Sequence, residues 1–292
     1  MKTVSISKRK FDNLEHLDLS DVNTEGKLYK FSYHGENKLL KKLYVNDGIT
    51  LAKKLFTIEV LNSNELPKYF ITPDSLVSVN NTVVGFTIPY VDGTTLKTLL
   101  YNENYPNNIK ISYLKKIGSI LDDMVGIRDN TELRHFYLND IHESNFMVDY
   151  NSGDLCVIDL DGCKINASFS FPARYLTSNG LLNNTKKYNI EPDLRHGAYV
   201  MANRDSDLYC YMIIILNFLY NGYVNNMDIT EYYDYLNYLR DIGVNKELVD
   251  IFYRIVSYGD NINPMDYLDS LSDEQICRAK QNVYRIVKKK TL

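Results

Sequence analysis

The side chains most capable of chemistry are concentrated between residues 138 and 162. That stretch reads Leu138-Asn-Asp-Ile-His-Glu-Ser-Asn-Phe-Met-Val-Asp-Tyr-Asn-Ser-Gly-Asp-Leu-Cys-Val-Ile-Asp-Leu-Asp-Gly162. Asp140 and Asn145 stand just before an apolar strand at 146–148, and Asp159 closes the next strand, at 155–158. Asp149-Tyr-Asn-Ser-Gly-Asp154 has the residues of a tight turn, so the two strands form a hairpin that brings Asn145 near Asp159. An amide oxygen and one or two carboxylates converging in this way suit Mg2+, a hard cation that prefers carboxylate and phosphate oxygens. Asp140 is then placed to accept a proton from a substrate hydroxyl. Any one of these residues alone reads equally well as a turn cap. The ordered combination of D-I-H-x-x-N, a hairpin and I-D-x-D-G is what favours a site.

In this stretch the chain resembles the protein-kinase-like superfamily. Asp140-Ile-His-Glu-Ser-Asn145 is similar to the catalytic loop of that family, with His142 where many protein kinases have Lys. The His form is shared with aminoglycoside- and choline-kinase-like phosphotransferases. Asp159-Leu-Asp-Gly162 resembles the metal-binding Asp-Phe-Gly segment with one residue added. The resemblance implies ATP and Mg2+ as cofactors. It implies Asp140 as the base and Asn145 and Asp159 as metal ligands. Asp161 is either a second metal ligand or an outward-facing loop acid.

The family also carries a Lys on its third strand, paired with a Glu on the following helix. Leu39-Leu-Lys-Lys42 offers two lysines, and alignment with Val-Ala-Ile-Lys selects Lys41 over Lys42. Glu59 is the expected partner, because helical spacing groups it with Ala52, Leu55 and Phe56. Asp207 stands where the family places an Asp that braces the catalytic loop at the entry of a buried helix; a plain N-cap is its other reading. Backbone groups of Pro89, Tyr90 and Val91 would hold the adenine, and the backbone around Gly26 would cradle phosphate. There are departures. The phosphate loop, 21–27, has only one glycine, and Leu138 and Asn139 replace the His and Arg that precede the catalytic Asp. Glu191-Pro192 is the only remnant of an Ala-Pro-Glu, within a segment that also holds Tyr175, Thr177, Ser178 and Thr185.

The elements that must position these groups follow from periodicity. Residues 28–33 and 38–45 form a hairpin around His34-Gly-Glu-Asn37, 50–62 a helix, and 76–79 and 82–88 a second hairpin around Asn80-Asn81. An amphipathic helix covers 111–128, and helices are expected at 207–220, 228–242, 245–257 and 272–289. The expected fold is α+β and bilobal, protein-kinase-like: a small antiparallel sheet lobe with one helix, and a larger, mainly helical lobe. The boundaries are an N-terminal extension (1–18), an N-lobe (19–88), a hinge (89–93) and a C-lobe (94–292). The C-lobe would contain the catalytic loop (138–145), the metal segment (159–162) and an activation-like segment (163–206), with the nucleotide cleft between the lobes.

Composition narrows the function classes. The chain has 292 residues, 45% apolar and 24% charged, with 14 Gly and 7 Pro, which excludes disordered and collagen-like chains. The net charge of −4 argues against nucleic acid as a partner. The four cysteines, Cys156, Cys163, Cys210 and Cys277, form no C-x-x-C pair. The longest apolar run, 209–220, is too short to cross a bilayer and reads as a buried helix. The basic start at 1–10 has no apolar core, so a cytoplasmic protein without a membrane partner is expected. The 25 Tyr, against no Trp, read as a compositional bias. Three functions remain: a kinase for protein Ser or Thr, favoured by the long 163–206 segment; a small-molecule kinase, favoured by His142; and a catalytically dead fold used as a binding module, favoured by the poor phosphate loop.

Overall fold

The computed structural model describes residues 2–17, 26–44, 48–165, 174–175, 181, 187–188, 190–193, 197–200, 202–257 and 259–281. The sequence expectations at 18–25, at Thr177, Ser178 and Thr185, and at the basic end 285–290 lie outside them. The fold is α+β. It divides into two compact units, Met1–Thr94 with Phe146–Gly162, and Thr95–Asn145 with Cys163–Leu292.

The first unit is built on a six-stranded sheet. Its elements run β1 (Lys2–Ile6), α1 (Lys8–Asp12), β2 (His16–Leu17), β3 (Gly26–Tyr33), β4 (Glu36–Leu43), α2 (Gly48–Ser63), β5 (Ser75–Val79) and β6 (Thr82–Pro89), with spatial order β1-β5-β6-β4-β3-β2. Only β1 runs parallel to its neighbour; the other pairings are antiparallel. Both hairpins close on two residues at positive φ, His34 and Gly35 in one, Asn80 and Asn81 in the other. That geometry twists in the same sense as the strands it joins, and Asn and Gly tolerate it best. Residues 1–18, expected to be an extension, supply β1, α1 and β2 instead. Val4 and Ile6 of β1 are part of the core, with Phe31, Leu40 and Val77.

Strand alternation decides which lysine turns where. Leu40 belongs to that core cluster, and Lys42 faces the same side, with Nζ 5.4 Å from the Phe11 ring centroid. Lys41 is buried on the other side, where its ammonium lies 5.9 Å from the Phe86 ring centroid. The expected hinge is shorter than its assignment. Pro89 is still the last residue of β6, paired with Lys38, and Gly93 already opens β7 (Gly93–Thr95).

β7, β8 (Phe146–Asp149) and β9 (Leu155–Val157) form a second sheet. The sequence reading assigned 146–162 to the helical lobe. The β8–β9 hairpin and the turn after it group with the first unit, because β9 is stitched to the segment following α2. Val157 N–H donates to Tyr69 O at 2.7 Å, and Ile71 N–H donates to Val157 O at 2.9 Å.

The second unit is mainly helical, with α3 (Leu96–Tyr101), α4 (Asn107–Ile127), α5 (Arg204–Tyr220), α6 (Ile229–Asp241), α7 (Lys246–Arg254) and α8 (Asp273–Gln281), and a short β10–β11 hairpin (Ile190–Asp193, Gly197–Val200). α5 starts three residues earlier than expected, capped reciprocally by Asn203 and Ser206, and ends on Asn221 at φ 56°. It is buried on all sides, as its unbroken apolar run requires. Among the described residues no helix is long and apolar enough to cross a membrane. Several tyrosines gain a structural role here. Tyr211 Oη donates to Leu114 O at 2.8 Å and Tyr232 Oη to Phe252 O at 2.8 Å, so buried rings also tie helices together.

Gly85 of β6 controls how close β4 can lie, because a Cβ there would stand 2.1 Å from Lys41 O. Gly85→Ala should therefore lower stability by about 1–3 kcal/mol, as over-packing does. An unchanged midpoint in chemical denaturation would contradict this register.

Candidate functional site

In the first unit the expected lysine and acids meet in one buried cluster. Lys41 Nζ donates to Asp159 Oδ1, and to Asp161 Oδ1 at 2.7 Å. The second oxygen of Asp161 accepts from Lys54 Nζ of α2 at 2.8 Å. Asp161 thus bridges two lysines, one per oxygen, and is only 1% exposed. Asp159 is the outer member, with 27% of its side chain exposed and its backbone at φ 63°. A non-glycine residue held in that left-handed region is strained and persists only where its surroundings fix it.

The charges explain one another. Burial alone would push the Asp161 carboxyl up, but Lys41 and Lys54 outweigh it and hold it well below the usual range. Burial pushes Asp159 up, opposed by Lys41 and reinforced by the negative Asp161. Burial likewise disfavours the Lys41 ammonium, yet the two carboxylates raise it above an ordinary lysine. Lys41 is therefore a fixed cation.

Glu59 is not its partner. Glu59 is exposed, while Lys54, Thr57, Ile58 and Leu61 are the buried residues of α2. The inward face is centred two residues away from the expected one, which on a helix of 3.6 residues per turn is nearly the opposite side. The cause is that α2 is apolar on several faces: Phe56 is left 43% exposed although it fitted the expected stripe. The 54, 58, 61 spacing was the usable signal for Lys54, and its charge hid it.

Other expected residues are placed as follows. Asp161 does not fit the metal-ligand role, since both its oxygens are taken by lysines. Asp159 gives Oδ1 to Lys41 and is the more exposed of the two acids. Gly26 begins β3 and packs tightly, a Cβ there lying 2.6 Å from Lys42 O, so it is a strand residue rather than part of a loop. Tyr90 is exposed and Val91 is buried. Among the described residues no group of three or more His, Cys, Asp or Glu is arranged to hold a metal by itself.

In the second unit the loop before β8 is tightly braced. Asp207 Oδ1 accepts from Asn139 N at 2.8 Å, and Oδ2 accepts from Leu138 N at 3.0 Å. Burial pushes the Asp207 carboxyl up to about 7, while those N–H donors, Arg128 and Lys164 pull the other way. The clamp holds Asn139 at φ 65° and presents Asp140 next to it. Asn145 Nδ2 donates to Asp140 O at 2.9 Å, which ties the two ends of the loop together.

Asp140 is surrounded by donors. Arg174 N donates to Oδ1 at 2.8 Å, and His142 Nε2 lies 3.5 Å from Oδ2. His142 Nδ1 accepts from Ser144 N at 3.3 Å, so the ring proton is assigned to Nε2, facing Asp140. Burial would raise the Asp140 carboxyl, but His142 and the Arg174 amide hold it below the usual range. It is an ionised acceptor at neutral pH. Beside it Glu143 is buried and accepts from Tyr175 Oη and, at 3.3 Å, from Tyr101 Oη; Asn217 Nδ2 donates to Tyr175 Oη at 3.1 Å. These contacts seat 174–175 on the loop. The sequence reading did not identify Glu143, Tyr101 or Asn217, and a single Glu between His142 and Ser144 gives no signal of burial.

No family model matches the chain, and no curated protein matches it.

The clamp on the loop is directly testable. Asp207→Asn keeps the shape but sets an amide N–H against a backbone N–H. The buried donor left without an acceptor should cost about 1–3 kcal/mol. Thermal denaturation measures the loss; an unchanged melting temperature would mean that Asp207 does not brace residues 138–139.

Proposed function

We propose that the protein is an ATP- and Mg2+-dependent phosphotransferase that passes the γ-phosphoryl group to a hydroxyl, with Ser or Thr of a protein as the acceptor. The observation that carries this reading is the partly buried ion pair of Lys41 with Asp159, 118 residues apart in sequence. A strained, partly exposed carboxylate held on a buried lysine is a poor way to gain stability and a good way to store a metal ligand beside a phosphate-binding cation.

The roles follow from the chemistry of each group. Asp140, ionised and hydrogen-bonded, accepts the proton of the acceptor hydroxyl. The hydroxyl oxygen bonds to the γ-phosphorus as the bond to the β-phosphate oxygen breaks, and ADP leaves. Lys41 offsets phosphate charge throughout. Asp159 and Asn145 are the groups that would hold Mg2+, which would neutralise charge developing on the phosphates. On this reading the protein-kinase-like fold expected from the motifs is the architecture, with the adenine held at Pro89, Tyr90 and Val91.

A small-molecule acceptor is the second reading. It is favoured by His142, whose Nε2 faces Asp140 in the position that motif-based reasoning associates with small-molecule kinases. Labelled ATP offered with the protein alone, with a generic basic protein and with a panel of hydroxylated metabolites separates the two by which acceptor is labelled.

Nucleotide binding comes first. A ligand at one hundred times its dissociation constant adds about 2.7 kcal/mol of stability, so ATP with Mg2+ should raise the melting temperature clearly. No shift would favour a binding module. Asp140→Asn should abolish transfer and keep the shift; transfer at the parental rate would remove Asp140 as the base. Lys41→Ala should lose transfer while Lys42→Ala, whose side chain faces Phe11, keeps it; the reverse result would overturn the assignment of Lys41.

A further inference from the structure

We propose that Lys54 and Asp161 are a positioning pair for Lys41: α2 fixes the phosphate-binding lysine by way of a bridging aspartate from the turn after β9, and not by a carboxylate of its own. The inference rests on the phosphotransferase reading and assigns to Lys54 and Asp161 a role in that same site.

The geometry is one-sided. Asp161 gives Oδ1 to Lys41 and Oδ2 to Lys54, at 2.7 and 2.8 Å, and all three residues are almost wholly buried. An ammonium has three donors. Asp159 and Asp161 engage Lys41 through two separate contacts, and Asp159 is the more exposed of the two acids. Were Asp159 to hold a cation instead, Asp161 would still anchor Lys41, leaving an ammonium donor of Lys41 for phosphate oxygen. The three remaining charges, two lysines against one aspartate, then leave the cluster with a net charge of +1 beside an anionic ligand. Without Lys54 the second oxygen of Asp161 would be buried without its cation, and the carboxylate would be free to swing away from Lys41.

Lys54 touches neither phosphate nor metal on this account, so its effect should appear in how well Lys41 is held. The test compares Lys54→Arg, Lys54→Gln and Lys54→Met with Glu59→Gln, measuring kcat and KM for ATP in the full chain, with melting temperature as a check on folding. Losing a group that orients a functional residue commonly costs about 10–100-fold in activity. Lys54→Met should lose that much in kcat, Lys54→Gln less, and Lys54→Arg should recover most of it, while Glu59→Gln stays at the parental rate. If Lys54→Met does not fold, the ranking of Arg over Gln decides the question alone. A wild type that shows neither a nucleotide shift nor transfer overturns the phosphotransferase reading. A wild type that transfers phosphate, with the folded Met or Gln variant matching its kcat, overturns the positioning role and leaves the function standing.

Discussion

The constraint on which the first unit depends is the burial of Asp161 between two lysines. A carboxylate removed from water is tolerable only when every oxygen is paired. Each oxygen of Asp161 is paired, and each pairing belongs to a different element: Lys41 to β4 and Lys54 to α2. One side chain therefore ties the sheet, the helix and the turn after β9 into a single arrangement. Removing one member of such a buried set typically costs about 3–5 kcal/mol. The close approach of β6 to β4 at Gly85 and the stitching of β9 to residues 69–71 serve the same end, since both fix where the three charges meet.

The second unit solves a different problem with similar means. Its loop holds a half-buried acid, Asp140, next to Asn139, whose backbone is at positive φ. Asp207 fixes the loop from below through two amides, Asn145 fixes it from within, and the amide of Arg174 fixes it from the side. The consequence is an acid kept ionised and pre-oriented. Its oxygens are in contact with the Arg174 amide and His142 Nε2.

Much of this was legible in the sequence, and the failures have definite causes. The hairpins could be read because two-residue turns at positive φ demand Asn, Gly or their like. The choice of Lys41 over Lys42 came from the resemblance to Val-Ala-Ile-Lys, and strand alternation, a period of two that burial enforces, turns Lys42 to the other face. The loop from Asp140 to Asn145 was readable as ordered polar residues beside apolar ones, whereas the brace at Asp207 came only from the family resemblance, beside the alternative of a plain N-cap. Glu59 misled because α2 carries apolar residues on several faces, so periodicity selected a face that the sheet does not cover. Lys54 was passed over for the complementary reason: although its spacing from Ile58 and Leu61 was a usable signal, a lysine on an apolar stripe reads as an exposed residue until its partner, 107 residues away, is known. The same holds for Glu143, whose tyrosine partners come from α3 and from residue 175.

The account is tested most directly by the structure of a complex with Mg2+ and a non-hydrolysable ATP analogue. The predicted result is that Asp159 leaves Lys41 for the metal, Lys41 contacts phosphate, and Asp161 remains on both Lys41 and Lys54. A metal bound by Asp161, or a nucleotide that does not touch Lys41, would contradict it.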